Sequence, residues 1–127
     1  MRNTLPKKHI LNSKKDIELL FKKGYVLSRG NLRVHIYQTG KSDIPVRVLF
    51  SVPKKNHRSA VKRNLIKRRM REAFRINRHD FMHFLKEEKK CLMLALVFTG
   101  QNIPAFKEVE KDMQKVLDKL MKPENKP

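Results

Sequence analysis

The sequence predicts a small α+β sandwich, one sheet carrying helices, and three observations predict it. Apolar residues alternate over 32–39 and over 46–52, as in strands with one buried face. They recur at helical spacing over 17–21, 66–74 and 106–120. Cys91 to Phe98 is apolar without a break, as a strand covered on both faces would be. The resulting order is helix, strand, strand, helix, strand, helix, with the second helix between two strands of one sheet. A chain of 127 residues suits one domain.

Each element has a local cause. Ser13 can cap a first helix, with Asp16 near the positive end of its dipole. Ile17, Leu20 and Phe21 share a face, and Gly24 stands where a terminating glycine belongs. Leu32, Val34 and Ile36 then fall on one side of a strand, with Arg33, His35 and Tyr37 on the other. Gly40-Lys41-Ser42-Asp43 reads as a turn, followed by Val46, Val48, Phe50 and Val52 on one strand face, ended by Pro53. A second helix is predicted from about Ser59, its cap, to Asn77. After the Cys91–Phe98 strand, Gly100-Gln101-Asn102 is loop and Pro104 suits the first turn of the last helix. The tail 122–127 is expected to fray, leaving one domain over 1–121.

Composition narrows the function. Lys and Arg number 31 against 12 Asp and Glu, a net charge of +19 that would repel itself unless a polyanion screens it. The sequence pI near 10.5 is the electrostatic footprint of a nucleic-acid binder. No apolar run approaches the roughly 20 residues of a membrane helix, and no apolar segment follows the basic N-terminus as in a signal peptide. A single cysteine excludes an internal disulfide, and Cys91 reads as a buried, inert thiol. A cytoplasmic chain with no membrane partner and no evident obligate protein partner is expected.

The charge is concentrated. Residues 53–78 hold 11 basic side chains and one acid, Glu72, whereas residues 79–127 hold 9 basic and 8 acidic. On a helix, Ile66, Met70, Ala73 and Phe74 occupy an arc of about 100°. Arg63, Asn64, Lys67, Arg68, Arg71, Arg75 and Arg78 fill an adjoining arc of about 140°. Solvated helix faces usually mix signs into i,i+4 pairs. Here Arg63, Lys67, Arg71 and Arg75 repel one another at that spacing, and a bound polyanion is the simplest compensation. Lys54 and Lys55 extend the positive surface ahead of the helix.

At this point the residues resemble a family. Val52-Pro53-Lys54-Lys55, followed by Ala60 to Phe74 with its Arg63-Asn64…Lys67-Arg68…Arg71 spacing, is similar to the signature of the bacterial ribonuclease P protein subunit. Asp16 to Gly24 resembles that family's opening helix and glycine. The resemblance implies an α-β-β-β-α-β-α sandwich with a mostly antiparallel four-stranded sheet and a left-handed β-α-β crossover carrying the basic helix. Its additional strand would fall near Tyr25 to Ser28. It implies an RNA-based endonuclease that removes the 5′ leader of precursor tRNA, with Mg2+ held mainly by the RNA subunit and no catalytic residue in this chain. The implied partners are ribonuclease P RNA and precursor tRNA. Carried over by position, Lys54, Lys55, Arg63, Asn64, Lys67, Arg68, Arg71 and Arg75 would meet the catalytic RNA. Phe21, Arg33 and Tyr37 would line a cleft for the leader. Leu65 stands where the family usually has a further basic residue, and Ile17 where an aromatic is common.

Other features carry less. His79 and His83 are four apart but lack a convincing third metal ligand. Glu87-Glu88 and Glu108-Val109-Glu110 are flanked by lysines and read as exposed ion pairs. A structured-RNA protein without a processing role, a self-sufficient metal nuclease and a DNA-reading helix are the alternatives. The second needs a carboxylate cluster that the sequence does not supply, and the third a preceding helix-turn partner.

Overall fold

The computed structural model describes residues 6–40 and 44–122. Lys41-Ser42-Asp43 of the expected turn and the tail beyond Lys122 lie outside them.

Helix α1 spans Lys14–Lys23 and starts as expected, with Ser13 Oγ accepting the Asp16 N–H at 3.3 Å. Its end abuts the sheet. A Cβ on Gly24 would collide with the Leu20 carbonyl and come within 2.7 Å of the Ile36 carbonyl oxygen, so only glycine fits. Strand β1 (Tyr25–Arg29) follows at once and pairs antiparallel with β2 (Leu32–Thr39). Gly30 turns this hairpin at φ 57°, and Asp112 Oδ2 accepts the Asn31 N–H at 3.0 Å. Strand β3 is Val46–Ser51, α2 is Ala60–Glu87, β4 is Cys91–Phe98 and α3 is Phe106–Leu120. The order is therefore α-β-β-β-α-β-α.

The four strands lie in the order β1-β2-β4-β3. Strand β4 runs antiparallel to β2 and parallel to β3, so the sheet is mixed, with two antiparallel pairings and one parallel. The parallel pair is joined through α2 in a β-α-β crossover. Alternate residues of each strand build the larger core on one face of the sheet. There Val34, Ile36, Val48, Phe50, Leu94 and Leu96 join Ile66, Met70, Phe74 and Phe81 of α2 and Met113 and Val116 of α3. On the opposite face a smaller cluster of Leu11, Leu20, Met93 and Ala95 packs under α1. With cover on both sides β4 is buried from end to end, and Cys91 with it.

Three features depart from the residue pattern. Helix α2 runs ten residues past Asn77, because Phe81 and Leu85 continue its buried stripe. It stops only where Lys89 takes φ 55°. Asn77 itself is knitted into the layer, donating to Ala73 O at 2.8 Å and Glu110 Oε2 at 3.0 Å. Strand β1 follows from the resemblance and not from alternation, since it is short and half exposed. Finally, a 3-10 turn at Lys7–His9 leads Ile10 into a parallel bridge with Val48, along the outer edge of β3.

Candidate nucleic-acid interface

The start of β2, the ends of β3 and β4 and the first turn of α2 converge at one end of the sheet. Thr99 ties two of them, its N–H and Oγ1 donating to Asn31 O at 2.8 and 3.1 Å. His57 ties the others. Its buried ring lies 5.9 Å from the Phe98 ring and its Nε2 is 2.8 Å from Gly100 O, which assigns the proton to Nε2. Arg63 Nη1 then donates to His57 O at 2.9 Å and Arg58 O at 2.8 Å, and Arg69 Nη1 donates to Pro104 O. The basic helix is thus anchored at its N-terminal turn. Sequence reasoning takes His57 only as a connector, because nothing in its neighbours signals the Gly100 carbonyl across the sheet.

The residues of the expected row have different environments. Lys54 and Lys55 are exposed in the turn after β3. Asn64, Arg68 and Arg71 are exposed, and Lys67 is half-buried. The Arg71 guanidinium sits 5.7 Å over the Phe50 ring, a cation–π contact that holds it at the helix edge. Arg63 is turned back onto the loop carbonyls. Arg75 is engaged by Glu72, with Nε donating to Oε2 at 3.2 Å and Nη2 to Oε1. That hydrogen bond holds the Glu72 carboxyl below the usual carboxylate range and raises Arg75. Arg78, grouped with the row by helical angle, is half-buried instead.

The second surface lies on the α1 face of the sheet. The strand register aligns Val26, His35, Ala95 and Leu49 in one cross-strand row, and Ser28, Arg33, Val97 and Ser51 in the next. Phe21 leans from α1 onto His35, ring centroids 4.5 Å apart, yet stays 43 % exposed. Tyr37 is half-buried against the small cluster under α1, and Arg33 is exposed. His35 is the member that sequence reasoning does not single out. Both ring nitrogens are buried without a hydrogen-bond partner, and burial, then Arg33, lowers its pKa. A titratable residue in the middle of an alternating strand is the available signal. The Arg33 row ends at Ser51, three residues before Lys54, so the two surfaces adjoin at the anchored end of α2.

His79 and His83 are exposed on α2, and His83 Nε2 lies 3.9 Å from Glu87 Oε1. Among the described residues no group of three or more His, Cys, Asp or Glu is placed to hold a metal ion, and no helix is long and apolar enough to cross a membrane.

Comparison with known proteins agrees with this architecture. The family model described as Ribonuclease P matches residues 5–121. A ribonuclease P protein component from Porphyromonas gingivalis is 35 % identical over 118 residues, covering 91 % of this chain and 85 % of that one. One from Chlorobaculum tepidum is 33 % identical over 130 residues, covering 94 % and 84 %. Among solved structures, the RNase P protein of Staphylococcus aureus superposes with a TM-score of 0.69 at 21 % identity, over 87 % of this chain and 93 % of that one. That of Thermotoga maritima gives 0.65 at 24 % identity, over 85 % and 94 %.

Proposed function

The chain belongs to the ribonuclease P protein component family, and on that premise we propose that it binds the RNA subunit through α2 and the 5′ leader of precursor tRNA through the α1 face of the sheet. The observation that carries this reading is the cationic face of α2, on which Glu72 is the one acid and is already neutralised by Arg75. Asn64, Lys67, Arg68 and Arg71, with Lys54 and Lys55, supply phosphate contacts, and the guanidinium groups also stack on exposed bases. Arg63 contributes by fixing the start of α2, and releases its loop carbonyls if it turns to RNA.

The leader runs along the Arg33 row. Arg33 meets its phosphates, and Phe21 offers a half-exposed ring for base stacking. His35 packs beneath Phe21 with both ring nitrogens buried and backs that ring, and Tyr37 supports the floor. Because the rows end beside Lys54, a strand leaving the α1 face arrives at the RNA held by α2. Removal of the leader is RNA-catalysed in this reading.

Among the described residues the donor set does not suit a hard divalent cation. Such ions want several carboxylate or carbonyl oxygens, whereas the surface here is cationic and Glu72 is engaged. We therefore assign Mg2+ to the RNA subunit, and derive no step through it. The substrate locates the protein in the cytoplasm, with RNA rather than another protein as its obligate partner.

Precursor-tRNA cleavage at low Mg2+ tests the proposal, using the purified chain, a bacterial ribonuclease P RNA, and both together. Cleavage at the mature 5′ end should require the mixture, and the double substitution Lys67→Ala, Arg68→Ala should weaken it. Cleavage by the protein alone would overturn the RNA-catalysed reading. Tight RNA binding without stimulation would assign the chain to structured-RNA binding instead.

A further inference from the structure

Beyond Arg75 the positive charge of α2 continues towards a place where it has no evident use. His9, at the end of the 3-10 turn, is only 7 % exposed, and its Nδ1 is buried with no hydrogen-bond partner. Arg78 Nη1, from α2, is likewise buried and unpartnered. Buried polar groups are as a rule hydrogen-bonded, so two orphans from separate elements require a reason. The charges acting on His9 are Arg78, Lys8 and Lys86, and every one is positive. Arg78 feels Arg75, also positive. Among the described residues neither His9 nor Arg78 is in an ion pair with an acid.

Four cationic or protonatable groups with no acid, two of them holding unused nitrogens, match an anion with several acceptor oxygens. A tetrahedral phosphate satisfies that need, with Arg78 donating from its guanidinium and a protonated His9 from Nδ1. A backbone phosphate is favoured over a free one because Arg78 lies two helical turns, about 10.5 Å, from Arg71 on the same helix. We infer that His9 and Arg78, backed by Lys8 and Lys86, form a phosphate-binding site that takes one backbone phosphate of the RNA held by α2. The site extends the footprint past Arg75 to the outer edge of β3, and rests on the reading of α2 as an RNA-binding face. Arg78 is only partly buried as a residue, so its stem lets the guanidinium turn to an incoming anion.

The test has two arms on the full chain. In the first, histidine ring resonances are followed by NMR against pH at fixed ionic strength, with inorganic phosphate replacing chloride. His9 should titrate higher in phosphate by roughly 0.5 pH unit or more, since a neighbouring anion favours imidazolium. Arg78→Gln should abolish the His9 response. An unchanged His9 titration in the wild-type chain, or the same response in Arg78→Gln, would overturn the site. In the second arm, Arg78→Gln should lower the salt slope of RNA-subunit binding by about 0.7–0.9. An unchanged slope would overturn its assignment to RNA. If the wild-type chain binds no RNA, the proposed function fails while the phosphate arm still decides whether the anion site exists.

Discussion

Replacing Glu72 by Gln removes the one carboxylate between Lys54 and Arg78 and frees the Arg75 guanidinium. The cost to folding is small. Glu72 is 44 % and Arg75 20 % exposed, and the pair is an i,i+3 contact on a hydrated helix, so its loss costs about 0.2–1 kcal/mol. In a domain of this size that lowers Tm by no more than about 4 °C. The gain in RNA binding is larger. One further guanidinium able to neutralise a phosphate steepens the dependence of log K on log salt by about 0.7–0.9. At 0.1 M salt, relative to 1 M, that corresponds to about five- to eightfold tighter binding. Anisotropy of labelled RNA subunit, titrated with wild-type and Glu72→Gln protein at several salt concentrations, gives both slopes directly. An equal or shallower slope in the variant would refute the reasoning, and would mean that Glu72 orients Arg75 for its contact rather than withholding it.

Single changes Lys67→Ala and Arg68→Ala should each reduce the salt slope by about 0.7–0.9 and leave unfolding free energy within about 0.5 kcal/mol, as read by urea titration. Phe74→Ala should cost about 3–5 kcal/mol, because that ring is fully buried and packs edge-to-face with Phe50, ring centroids 6.1 Å apart; a loss below about 2 kcal/mol would contradict the packing described. Stability should fall between pH 7 and 5, since His9 and His35 have lowered pKa values when folded and the unfolded chain binds more protons below about 6.5. Urea unfolding across that range should show a flatter profile for the double variant His9→Gln, His35→Gln, and an equally flat wild type would refute the linkage. Glu72 acts in a lower window: its contribution is present above the unfolded carboxyl pKa and is lost as acid protonates it.

What can be read from the sequence depends on whether a residue's role is local. Leu32 to Thr39 and Cys91 to Phe98 match their strands residue for residue, because alternation and continuous burial are properties of neighbours. Ser13 and Ser59 both cap the helices assigned to them, each accepting an N–H three residues on. The residue pattern ends α2 too early because His79, Asp80 and His83 dilute the stripe that Phe81 and Leu85 sustain. On the site, the clustering of cations on one helix is legible. Their individual ties are not: the carbonyls that hold Arg63, the Phe50 ring under Arg71 and the burial of Arg78 come from segments distant in sequence or from the next layer. His9 is invisible for the same reason, and of His35 only its place on the strand is legible, since orphaned nitrogens are defined by what surrounds them in space.

Strand β4 has a consequence for how the chain is made. It is the last strand to be synthesised, yet it lies between β2 and β3, which do not pair with each other. A nascent chain ending at Ser51 therefore holds the β1-β2 hairpin and a separate β3 with no edge to share, and their apolar rows stay uncovered. At ribosomal speed the interval from residue 51 to residue 98 lasts roughly 2–9 s. The helix that emerges during that interval is the most cationic segment of the protein, and it displays its charge before it has a sheet to rest on. The unfinished chain is thus at once sticky and strongly charged, and like charge opposes its association with neighbouring copies until β4 arrives.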